Sequence, residues 1–169
     1  REQIHVDALR AGGIDVDLFT FPPGKDRYLP ATREIRRLIR NNDYDLVHAH
    51  YGLAGWCARL AGAKPLIVTF HGTDVRHPVV GRMSRRLTRS IDLTGAVSLA
   101  LFGPEDGRPG LPKPPGKNAV IPCGADLGRF TPGSKREARQ RLGLDPDRPF
   151  LLFPADPDRP EKRADRARE

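Results

Sequence analysis

Hydrophobic and polar positions change period several times along the chain, and each change marks an element. Residues 3–11 place Ile4, Ala8, Leu9 and Ala11 on one side of a helix, and Gly12-Gly13 supplies its stop. Residues 14–21 (IDVDLFTF) alternate apolar and polar side chains, the period of a half-buried strand, and Pro22-Pro23-Gly24 closes it. Helical spacing returns over 32–42, with Ile35, Leu38 and Ile39 on one side and Arg33, Arg36, Arg37 and Arg40 around the rest. A short buried strand is predicted at 45–49, a helix at 53–61, and a second strand, rich in β-branched residues, at 66–70. A basic amphipathic helix follows over 79–91, with Val79, Val80, Met83, Leu87 and Ile91 as its apolar positions.

Farther along, 94–100 is a strand candidate and 102–117 a Pro/Gly-crowded loop, a surface excursion or ordered lid. A short strand at 119–122 leads into an irregular turn at 123–132. The helix predicted at 134–142 has Ser134 as N-cap and Gly143 as stop. After DPDRP at 145–149, residues 150–153 start a fresh strand and 162–168 a helix. Strands alternating with helices predict an α/β fold, a Rossmann-like, doubly wound and mostly parallel sheet with right-handed crossovers. The linker-like 145–149 segment divides the chain into an expected first domain at 1–145 and the beginning of a second at 146–169.

Composition narrows the class. The 169 residues hold one ordinary domain, and no apolar run approaches the ~20 residues of a membrane span. REQIHVDALR at the front is neither a signal peptide nor an initiator-Met start, so the natural N-terminus is expected to be missing. Two cysteines, Cys57 and Cys123, form no disulfide framework and no ligand spacing, which points to a reduced, cytoplasmic setting. A net charge of +8 and a pI near 10.1 call for anionic partners, although 23 of the 29 basic residues are Arg and a solvated basic face accounts for them equally well.

The chemistry concentrates where two predicted strands end. HAHYG and TFHGTD place His48, His50 and Gly52, then His71 and Gly72, in successive loops at the carboxyl ends of parallel strands, where α/β folds bind ligands. His71, beside a flexible glycine, can approach a ligand oxygen closely as donor or acceptor; the alternative is a ring that only satisfies a turn carbonyl. His48 and His50 are two apart, so on a strand both point the same way and can line the crevice. Their spacing also permits a metal pair, but the sequence offers no third ligand and no metal is expected. Asp74 is read as a cap of the following turn in preference to a base. Cys57 is expected in a helix core, and Cys123 as a turn residue.

Four stretches in order resemble the amino-terminal half of a family-four glycosyltransferase with the two-lobed GT-B fold. They are HAHYG (48–52), TFHGTD (69–74), IPCGADLGRFTP (121–132) and LLFPADPDRPEKR (151–163). The resemblance implies one lobe of a GT-B fold, incomplete at both ends. The family's first strand and Gly-rich loop would precede Arg1, and most of the nucleotide-binding lobe, with its paired glutamates, would follow. It further implies retaining transfer of a sugar from a nucleotide-diphosphate donor to a glycan, lipid-linked or small-molecule acceptor, with no cofactor and no nucleic acid. His71 would be catalytic, contacting the transferred sugar or the departing diphosphate, and His48, His50, Gly72 and Asp74 would bind substrate. In the phosphate loop, Ala155 replaces the usual Gly and Asp156 stands near the usual Arg. Lys162 matches the family lysine, and Arg159 is the candidate substitute for the arginine, together gripping the donor diphosphate.

Arg82, Arg85, Arg86 and Arg89 on the basic helix suit either a solvated face or, since many relatives act on lipid-linked acceptors, the inner surface of an anionic membrane. Such a piece alone is expected to be inactive. The remaining alternatives are an Arg-rich nucleic-acid-binding module, which would need aromatics interleaved on a basic surface, and a GT-B-type epimerase or hydrolase.

Overall fold

Four short strands build the sheet, β1 (Val47–His50), β2 (Leu66–Phe70), β3 (Leu93–Ala96) and β4 (Asn118–Val120), all parallel and in the order β1-β2-β3-β4. The computed structural model describes residues 2–22, 24–105, 107–158 and 164–168. The chain divides into two compact units, Arg1–Ala125 and Asp126–Glu169, and the boundary expected from the linker falls inside the second.

In the first unit, helices α1 (Glu2–Ala11), α2 (Tyr28–Asn41), α3 (Gly52–Ala61), the single turn α4 (Thr73–Arg76) and α5 (Pro78–Leu87) accompany the sheet. Their ends follow local chemistry. Gly62 closes α3 in the left-handed region at φ 98°, its N–H reaching the Ala58 and Arg59 carbonyls. His77 caps α5, its Nδ1 accepting the N–H groups of Val79 and Val80, with Pro78 at the first helical position.

The core lies on β2. Leu66, Val68 and Phe70 are essentially inaccessible, packed with Ala58, Val75, Leu87 and Ala96. Burial on both faces suits the continuous apolar run of a central parallel strand, and each large side chain contributes ~1.5–3 kcal/mol. α3 and α5 come close because their facing positions are small. A Cβ on Gly55 would stand 2.8 Å from Leu87 Cδ2 and 2.9 Å from Val68, and one on Gly81 would collide with the Val75 carbonyl at 2.1 Å.

Three expectations change. Residues 14–21 form no strand: among the described residues they pair with no strand of the sheet, and Ile14, Leu18 and Phe19 stay exposed. The segment is instead tethered by the Arg10 guanidinium on the Val16 carbonyl and by Tyr44 Oη on Asp17 at 2.6 Å. Residues 150–153 likewise form no strand, and Leu151 and Leu152 are exposed. The expected apolar row of the basic helix is only partly buried: Leu87 and Ile91 are, together with Gly81 and Ser84, while Val79 and Met83 face outward.

The Pro/Gly loop after β3 is pinned rather than loose. Arg76 donates to the Ala100 and Gly103 carbonyls and pairs with Glu105 at 3.0 Å, Arg85 donates to the Pro109 carbonyl, and Leu111 is buried. In the second unit, Ser134 caps α6 (Lys135–Arg141) by accepting the Glu137 N–H, and α7 spans Ala164–Arg168. Among the described residues no helix is long and apolar enough to cross a membrane.

Candidate functional site

Parallel strands present their last carbonyls and the loops that follow at one end of the sheet. β1 ends at His50 and β2 at Phe70, with His71 next. His50 stands opposite Thr69 in the β1–β2 register, so the histidines of the two loops meet. His50 Nδ1 lies 3.1 Å from His71 Nε2; one ring donates, the other accepts, and the pair fixes each other's tautomer. His71 is exposed, open to a ligand, and not sunk in apolar packing.

His48 and His50 share a side of β1, as their spacing requires, with ring centroids 4.5 Å apart. His48 is held from below: its Nε2 lies 2.8 Å from Thr69 Oγ1, a buried hydroxyl. Thr69 has room for that rotamer because Gly95 flanks it on β3, where a Cβ would stand 2.7 Å from Oγ1. Burial, and then the neighbouring imidazoles of His50, His5 and His71, push the His48 pKa down from 6.5 to about 4. The ring is neutral at physiological pH.

Asp74 does not face the opening. It is fully buried, and its carboxylate accepts three backbone N–H groups: His71 and Gly72 on Oδ1 and Gly52 on Oδ2, each at 2.9 Å. The side chain therefore reaches back rather than capping the turn that follows, and it ties the loop after β2 to the start of α3. Ser84 Oγ, donating to the Asp74 carbonyl at 2.6 Å, fastens the same turn to α5. Gly72 sits at φ 121°, ψ −63°, a conformation closed to side-chain-bearing residues without strain. Asp74 positions the site, and Gly72 lets its backbone bend.

Two participants escape sequence reasoning. Tyr51, between His50 and Gly52, has φ 81°, a strained backbone at the mouth of the site. Only its place between a histidine and a glycine hinted at it. His5 on α1 brings a further imidazole, its ring centroid 6.2 Å from His48 and 5.6 Å from His50. Nothing in the spacing could have connected it to residues more than forty positions away. Its ring nitrogen lies within 4.8 Å of a ring nitrogen of each of His48 and His50.

Arg159 and Lys162 lie outside the described residues. On α5 and the turn after it, Arg82, Arg86 and Arg89 are exposed, while Arg85 is drawn inward to the Val75 and Pro109 carbonyls. The stripe is thus interrupted. Cys57 is buried in α3 and Cys123 is exposed, both unpaired.

Residues 12–129 match the model of Glycosyltransferase Family 4. Among curated proteins, the chain is 35% identical over 132 residues to a D-inositol 3-phosphate glycosyltransferase of Actinosynnema mirum, covering 65% of this chain and 30% of that protein. It is 33% identical over 132 residues to a D-inositol 3-phosphate glycosyltransferase 2 of Catenulispora acidiphila, covering 65% and 29%. A D-inositol 3-phosphate glycosyltransferase of Geodermatophilus obscurus is 36% identical over 123 residues, covering 65% and 27%. The matches thus span less than a third of each relative's length. With the family model covering most of the chain, and a parallel α/β sheet that carries histidines at adjacent strand ends, the chain belongs to glycosyltransferase family 4.

Proposed function

We propose that this chain is the acceptor-side lobe, with the beginning of the nucleotide-binding lobe, of a retaining glycosyltransferase. The whole protein moves a sugar from a nucleotide-diphosphate donor to an acceptor, and an inositol phosphate is the acceptor class that the relatives' names favour. The observation that carries this reading is the His50–His71 hydrogen bond at the ends of β1 and β2, beside the bent Gly72. It presents an imidazole, backed by a second, to an oxygen-rich ligand at the end of the sheet where α/β folds bind.

In this reading His71 is the catalytic residue, donating a hydrogen bond to the transferred sugar or to the departing diphosphate. His50 sets its tautomer, and neutral His48 lines the acceptor side. Arg159 and Lys162 supply cationic donors to the diphosphate, and such preorganised charge is often the largest contribution to lowering a barrier of this kind. No cofactor is required beyond the nucleotide sugar. The unpaired thiols suit a reducing cytoplasm. Exposed Arg82, Arg86 and Arg89 beside exposed Val79 and Met83 suit peripheral contact with an anionic membrane face.

The test is transfer by the full-length protein. Nucleoside-diphosphate sugars are supplied with D-inositol 3-phosphate, diphosphate release is followed, and the product anomer is read by NMR. A product that keeps the donor's anomeric configuration supports the reading. An inverted anomer overturns the retaining assignment, and no transfer to any hydroxyl acceptor overturns the whole. The 169-residue chain by itself transfers no sugar.

A further inference from the structure

We propose that His5, His48 and His50 form a binding site for one late first-row divalent ion, Zn2+ by preference. Each ring offers one nitrogen, and the three nitrogens lie within 4.8 Å of one another, all on partly buried residues. Among the described residues no other group of three or more His, Cys, Asp or Glu converges in this way. The site joins α1 to β1, and His5 lies outside the segment that matches the family model.

The ligand set selects the ion. Three imidazoles without thiolate or carboxylate suit Zn2+, Cu2+ or Ni2+, whereas Mg2+ and Ca2+ require oxygen ligands. Zn–N bonds of ~2.0–2.1 Å place tetrahedral ligand nitrogens about 3.4 Å apart. Closing the trio from its present spread takes at most about 1.4 Å, within reach of side-chain rotation, His5 being on a helix with part of its surface in solvent. Thr69 on His48 and His71 on His50 are the hydrogen-bonding partners that orient two of the rings, as second neighbours do in metal sites. Three protein ligands leave a fourth position for water or for an oxygen of an anionic ligand.

The test is a titration of the metal-free chain with Zn2+, by competition against a chromophoric chelator, and with Co2+, by its visible ligand-field absorption. One ion per chain is expected, with Mg2+ failing to compete. His5→Ala, on a helix that tolerates alanine, lowers Zn2+ affinity by at least ~100-fold, His5→Cys restores most of it, and Thr69→Val lowers it by about tenfold. His77→Asn, which keeps an acceptor for the α5 cap, leaves binding unchanged. Circular dichroism of each variant separates lost binding from lost folding. Failure to bind one ion, affinity unmoved by His5→Ala in the folded variant, or loss that follows His77 instead, would each overturn the site.

Discussion

Leu66–Phe70 lies between two strands, and its Leu66, Val68 and Phe70 lose nearly all contact with water. Residues 14–21 carry five apolar side chains, mostly alternating with polar ones, yet they pair with no strand among the described residues, and Ile14, Leu18 and Phe19 remain exposed. The difference is not in propensity. A strand is stabilised by cross-strand pairing and by packing on its faces, and β-propensity measures fit to such surroundings more than an intrinsic backbone preference. The same contrast separates β2 from residues 150–153, where Leu151 and Leu152 are exposed.

The contrast can be broken by mutation. Phe70→Ala empties a fully buried ring position and is expected to cost ~3–5 kcal/mol in urea denaturation. Gly55→Ala forces a methyl against Val68 and Leu87 where no room exists, at a cost of ~1–3 kcal/mol. Leu18→Ala, removing a half-exposed side chain, should shift stability by no more than ~0.5 kcal/mol. Equal costs at Phe70 and Leu18 would erase the distinction between the two regions.

A subtler effect concerns His48. Its folded pKa, about 4, is below the ordinary 6.5, so between these values the unfolded chain binds more protons. Stability from keeping this ring neutral is complete above about pH 6.5 and is lost as pH falls through 4. Denaturation across that window should show a downward slope toward acid that flattens in His48→Gln. An unchanged slope in the variant would contradict the assignment to His48.

Much of this was legible in the residues. The run LIVTF is apolar without interruption and flanked by turn formers, so β2 stands where it was expected. The helix 53–61 needed only its start moved to Gly52, because the Asp74 carboxylate, invisible to local patterning, accepts the Gly52 N–H. On α5 the apolar residues misled: Val79 and Met83 suggest an inner face, but close approach to Val75 and α3 is set by Gly81 and Ser84, whose smallness carries no hydrophobic signal. In the site, His48, His50 and His71 could be found because each sits at a strand end. Asp74 was legible as a residue but not as a buried latch of three N–H groups. His5 and the strained Tyr51 depend on tertiary placement and left no trace in spacing.

The central claim is that the exposed imidazole at the end of β2 acts on the substrate. Its most direct measurement is the steady-state transfer rate of the full-length protein carrying His71→Ala, against wild type and His77→Asn, with folding verified for each. The account predicts that His71→Ala lowers kcat by about 10²–10³-fold, the usual cost of removing one preorganised donor, while His77→Asn stays near wild type. A His71→Ala enzyme that folds and retains wild-type kcat would contradict it.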